Sequence, residues 1–127
     1  MLTPEVEGAL LELNRRFPGH RIDADSDGQG GAYVVVHDLP LGDRYTPPSS
    51  WVGFYIPYQY PYADVYPHFL DGGVRRSDGQ PHGGGISGTT WRGHPALQIS
   101  RRSNRWNPAV DTAATKLLKV LAWIRNP

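Results

Sequence analysis

Six consecutive residues, Ser100-Arg101-Arg102-Ser103-Asn104-Arg105, hold the densest set of chemically useful groups in the chain. Three guanidinium groups in so short a stretch can grip a carboxylate, because their planar N–H forks match its two oxygens. The stretch reads as a docking patch for a carboxylate-bearing partner, with a solvated turn as the alternative. Trp106 follows directly and Trp91 lies upstream. Either indole can stack on a guanidinium, line a groove or plug a core.

Other constellations are weaker. Ser87 or Ser100 can be written with His94 and Asp111 as nucleophile, base and orienting acid, but five histidines make such triples easy to find. His68, His82 and His94 with Asp71 and Asp78 offer zinc-type ligands at spacings that match no metal motif. Gly83-Gly84-Gly85 lacks the Gly-Lys-Ser/Thr continuation of a phosphate loop. Tyr55, Tyr58, Tyr60, Tyr62 and Tyr66 crowd one region, either as an exposed aromatic face or as packing along two faces of a strand. The chain has no cysteine, which excludes disulfides, thiolate metal sites and thiol nucleophiles. A net charge of +1 argues against a general nucleic-acid binder. No apolar run approaches the ~18 residues of a membrane span. Met1-Leu2-Thr3-Pro4-Glu5 lacks the order of a signal peptide, so a cytoplasmic protein is expected. The sequence implies no cofactor and leaves the oligomeric state open.

These residues need a scaffold, and 127 residues are enough for one domain with a core. Thr3-Pro4-Glu5 is a helix start, with a capping hydroxyl, proline at the first position and an acid in the first turn. Val6, Leu10, Leu13 and Phe17 follow at helical spacing, and Pro18-Gly19 stops the run. Arg21 to Gly31 reads as polar and turn-rich. Tyr33–His37, Trp51–Ile56 and Val65–Leu70 read as strands, the last an edge or bulge because Pro67 lies inside it. Their close spacing leaves no room for helical crossovers and predicts an antiparallel meander. Asp71 to Gly93 is glycine-rich and aperiodic, hence a long loop. Ala96–Ile99 reads as a brief strand. Val110, Ala113, Ala114, Leu117, Leu121 and Ile124 form one helical stripe, with Lys116 and Lys119 off it. Asp111-Thr112 or Asn107-Pro108 can open that helix. The fold class expected is α+β, a meander flanked by N-terminal and C-terminal helices.

Three segments in this order resemble the ubiquitin-conjugating (E2, UBC-like) superfamily. Trp51-Val52-Gly53-Phe54-Tyr55-Ile56-Pro57 through Tyr60-Pro61-Tyr62 is similar to the E2 strand that ends in a Tyr-Pro pair. Trp106-Asn107-Pro108-Ala109-Val110 resembles the Trp-Ser-Pro-Ala-Leu segment after an E2 active site. Ser100-Arg101-Arg102 before that Trp and Asp111-Thr112 after it are similar to the bacterial E2-like proteins encoded beside ubiquitin-like modifiers, an E1 and a JAB-type peptidase. The resemblance implies a ubiquitin-like protein and an E1-like enzyme as partners, in a conjugation or antiphage system. It also exposes a gap. The E2 cysteine stands about eight residues before the Trp, and here that count reaches Gln98, whose amide is no nucleophile. Ser100 could form an oxyester only with a general base, and its near neighbours are arginines. His94-Pro95-Ala96 repeats two residues of the E2 His-Pro-Asn signature, without the asparagine. The resemblance therefore implies a non-catalytic E2-like scaffold that binds E1, modifier or a partner E2 through Arg101, Arg102, Arg105, Trp91 and Trp106. The alternatives are an E2 with an engineered or atypical nucleophile (Ser100 with His94) and an unrelated hydrolase or metalloprotein using the loop histidines.

Overall fold

The computed structural model describes residues 1–127. Helix α1 (Pro4–Arg16) starts where the sequence predicts, because the Thr3 hydroxyl accepts the Val6 amide at 3.1 Å. It buries Val6, Ala9 and Leu13, and Phe17 ends it. Strands β1 (Ile22–Ser26), β2 (Ala32–Pro40), β3 (Tyr45–Thr46), β4 (Ser49–Ile56), β5 (His68–Asp71), β6 (Arg75–Arg76), β7 (Ile86–Trp91) and β8 (His94–Ile99) come next, then helix α2 (Ala113–Arg125). Six strands make one sheet in the order β1-β2-β4-β5-β8-β7, antiparallel at every step, and β3 pairs β6 apart from it. The fold is α+β and UBC-like, an antiparallel sheet with a helix from each end of the chain.

Strand alternation divides the sheet into two faces. Val34, Val36, Val52, Phe54, Ile56, Leu70, Leu97 and Ile99 join α1 and α2 in one core. The opposite face carries Tyr33, Trp51, Tyr55, Phe69 and Trp91. There Trp91 stacks on Phe69 at 4.9 Å and Trp51 at 6.0 Å between ring centroids. Gly53 lies beneath Trp91, and a Cβ added to it would collide with the indole ring. No helix is long and apolar enough to cross a membrane.

Several expectations are corrected. The polar stretch after α1 contains edge strand β1, where Ile22 and Ala24 alternate with Asp23 and Asp25. Pro67 stands just before β5, so the strand keeps its ladder donors and sits inside the sheet, between β4 and β8. The glycine-rich segment contains β7, joined to β8 by Arg92-Gly93. Both turn residues have positive φ, 50° and 82°, as a two-residue hairpin of the right twist requires.

Helix α2 starts at Ala113 and not earlier. Thr112 and Thr115 cap it reciprocally, side chain to backbone in both directions. Val110 therefore falls outside the helix and is 67% exposed. Lys116 belongs to the buried face. Thr112→Ala removes the cap and should lower stability by about 1 kcal/mol, read as a lower thermal midpoint with unchanged far-UV circular dichroism.

Candidate functional site

The chain leaves the sheet after Ile99, and the Ser100 amide donates to the Gly85 carbonyl at 2.8 Å. From there to Thr112 the backbone is irregular, so something other than secondary structure has to hold it. Asp64 does so from the segment after the Tyr60-Pro61-Tyr62 break. The Ser103 amide donates to Asp64 Oδ2 at 2.7 Å, and the Ser103 hydroxyl to Oδ1 at 3.1 Å. Lys116, in the first turns of α2, donates to both Asp64 oxygens at 3.0 Å and to Ser103 Oγ at 2.6 Å. Three chain segments thus meet at one carboxylate. Nearby, Trp106 Nε1 donates to the Pro61 carbonyl at 2.6 Å, and its ring tilts against Tyr60 at 6.5 Å. The Tyr60 hydroxyl accepts the Ala113 amide at 3.1 Å, so the same break also caps α2. Asp111 Oδ2 accepts the Asn107 amide at 2.7 Å, which, with Lys119, holds its carboxyl below the usual range.

This clamp presents the arginines. Arg101 lies 4.7 Å above the Trp123 ring and Arg102 lies 5.0 Å above Tyr66. Ser103, Lys116 and Lys119 line a cavity of about 330 Å³ with Arg101, Arg102 and Arg105. Lys116 is paired with Asp64, and Lys119 reaches Asp111 at 3.4 Å. Arg101, Arg102 and Arg105 pair with no carboxylate in the chain. The cavity therefore carries uncompensated positive charge beside aromatic surface, a setting that favours an anionic ligand with a planar oxygen pair.

The other singled-out residues lie elsewhere. Gln98 is a ladder residue of β8, paired with Phe69 and Ser87, and its Nε2 donates to Ser100 Oγ at 3.1 Å. No carboxylate or imidazole bonds Ser100. His94 begins β8, so six residues of extended chain, about 20 Å, separate it from Ser100. Asp111 is engaged with Asn107 and Lys119, and the written Ser-His-Asp set is not brought together. Trp91 belongs to the sheet face away from the helices, with His94, His37 and Asp23 around it. The arginines stack on Trp123 and Tyr66 instead. His68 is in the core, His82 bonds the Val74 carbonyl at 3.0 Å, and His94 sits at a strand end. No three acidic or imidazole side chains converge as metal ligands.

Asp64, Lys116 and the particular role of Ser103 are not among the residues that the sequence singles out. A usable signal exists for one of them. Lys116 stands three residues after Ala113 and four before Val120, a spacing that turns it toward the buried face of the helix rather than off it.

The family model described as Prokaryotic E2 family E matches residues 17–126. No curated protein and no solved structure matches the chain.

Proposed function

The chain belongs to prokaryotic E2 family E, and from that premise we propose that it is the E2-like binding component of a bacterial ubiquitin-like conjugation pathway. Its ligand is the carboxyl-terminal tail of the modifier, presented free or by an E1-like enzyme. The single observation that supports this is the cavity at the mouth of α2, where three guanidinium groups lack any internal counter-ion. A thioester relay is not its chemistry, since the chain contains no thiol and Gln98 stands at the expected position.

The test is fluorescence anisotropy with the labelled modifier or its carboxyl-terminal peptide. Arg101→Glu with Arg102→Glu should weaken binding at least about tenfold, or ~1.4 kcal/mol. The thermal midpoint should hold, because both side chains are exposed. Added salt should weaken the wild type more than the variant, since the contacts are ionic and near solvent. Unchanged affinity would remove the cavity from the binding site. Mixing with E1, modifier and ATP should give no thiol-sensitive adduct.

The alternative with Ser100 as acyl acceptor finds no support in its surroundings, because its hydroxyl contacts only an amide donor.

A further inference from the structure

Ser103 stands in different surroundings from Ser100. Its hydroxyl donates to a carboxylate oxygen, Asp64 Oδ1, at 3.1 Å and accepts from the Lys116 ammonium at 2.6 Å. A proton acceptor and a cation thus converge on one serine oxygen, which is the combination that raises a hydroxyl's nucleophilicity. The oxygen is not sealed away, because Ser103 is partly exposed and lines the arginine cavity. Nor is the hydroxyl needed to anchor the segment, since the Ser103 backbone amide already bonds Asp64 Oδ2 at 2.7 Å.

We propose that Ser103 is an acyl acceptor, with Asp64 as its general base, for a carboxyl-terminal tail delivered to the arginine cavity as a thioester. This inference rests on the docking reading above. Ser103 Oγ attacks the thioester carbonyl carbon and its proton passes to Asp64 Oδ1. The carbonyl π pair moves onto oxygen, and this tetrahedral oxyanion forms beside the unpaired guanidinium groups that line the same cavity. Collapse re-forms the carbonyl and breaks the C–S bond. The departing sulfur takes the proton from Asp64, so the products are a serine oxyester and a free thiol, with no change of oxidation state. Lys116 uses its three donors on Asp64 and Ser103. Its charge offsets negative charge on Oγ as the proton leaves.

The probe is an acetylated hexapeptide ending in two glycines, prepared as its mercaptoethanesulfonate thioester and as the free acid. Intact mass and peptide mapping should show one acyl group on Ser103 of the wild type, stable to dithiothreitol and released by hydroxide. Ser103→Ala should acquire no acyl group. Ser103→Cys should acquire one that dithiothreitol removes. Asp64→Asn should slow acylation at least about 10²-fold, the lower end for loss of a general base. Folding of that variant is checked separately, and the two Ser103 variants keep the test decisive if it fails to fold. Acylation elsewhere, acylation of Ser103→Ala, or none in a wild type that binds the free acid would overturn the acyl-acceptor role and leave docking intact. Failure of the free acid to bind would remove the docking reading and this inference together.

Discussion

Asp64→Ala should lower the stability of the folded chain by about 3–5 kcal/mol, the loss expected when one partner of a buried ion pair is deleted. The physical reason is the ammonium left behind. Lys116 is 4% exposed and Asp64 17%, so removing the carboxylate strands a charge that water can barely reach. The same change frees the Ser103 amide and hydroxyl, both of which use Asp64. At about 2–8 °C per kcal/mol for chains of this size, the thermal midpoint should fall by roughly 10 °C or more. Replacing the pair together, Asp64→Leu with Lys116→Met, should recover most of the loss. A well-packed apolar pair commonly matches a buried ionic one. Urea denaturation of the three proteins separates the outcomes. A loss below about 1 kcal/mol for Asp64→Ala would mean that the pair behaves as an exposed one.

The second large effect is a loss of stability in mild acid, centred on His68. The residue is fully buried on the core face of β5, against Phe54 at 5.1 Å, and neither ring nitrogen has a hydrogen-bond partner. Burial, reinforced by the charge of Lys116, pushes its pKa down from 6.5 to about 3. The unfolded chain therefore binds a proton between these values that the native protein refuses, and stability falls as pH falls through that window. Above about pH 6.5 the ring is neutral in both states and the titration removes nothing. By pH 5 the loss should be about 2 kcal/mol, at ~1.4 kcal/mol per pH unit. The depressed carboxylates Asp23, Asp27, Asp78 and Asp111 act lower, because their contribution is lost only below the ordinary value of 3.8. His68→Leu should flatten the decline between pH 6.5 and 5, and at pH 7 it should be near neutral or stabilising because it removes two unpartnered polar atoms. Equal slopes for the two proteins would place the acid sensitivity elsewhere.

Local signals carried the helices. Thr3-Pro4-Glu5 and the Val6, Leu13 and Phe17 spacing locate α1, and β2 and β4 stand where β-branched and aromatic residues cluster. The misses have physical causes. In β1 only two small or medium apolar residues alternate with aspartates, a weak pattern for an edge strand. In β7 the run Ser87-Gly88-Thr89-Thr90 has little to bury, and its pairing depends on the Arg92-Gly93 turn. Pro67 misled because a proline one residue ahead of a strand looks, in one dimension, like a proline within it. The arginine segment is visible in the sequence as a cluster of charge. Its support was not, because Asp64 lies 39 residues from Ser103 and 52 from Lys116 in the chain. No window of neighbouring residues contains the clamp.

That separation also ties the cavity to the completed fold. Closing contacts across such spans comes late, after more local structure has met its entropic requirement. The cationic cavity therefore comes into being only when the sheet, the Tyr-Pro break and the last helix are already in place. A chain still emerging from the ribosome, or one truncated before Lys116, has the arginines but not the cavity they line. On the docking reading proposed above, engaging a tail requires a completed fold, so half-made copies should not compete for the modifier.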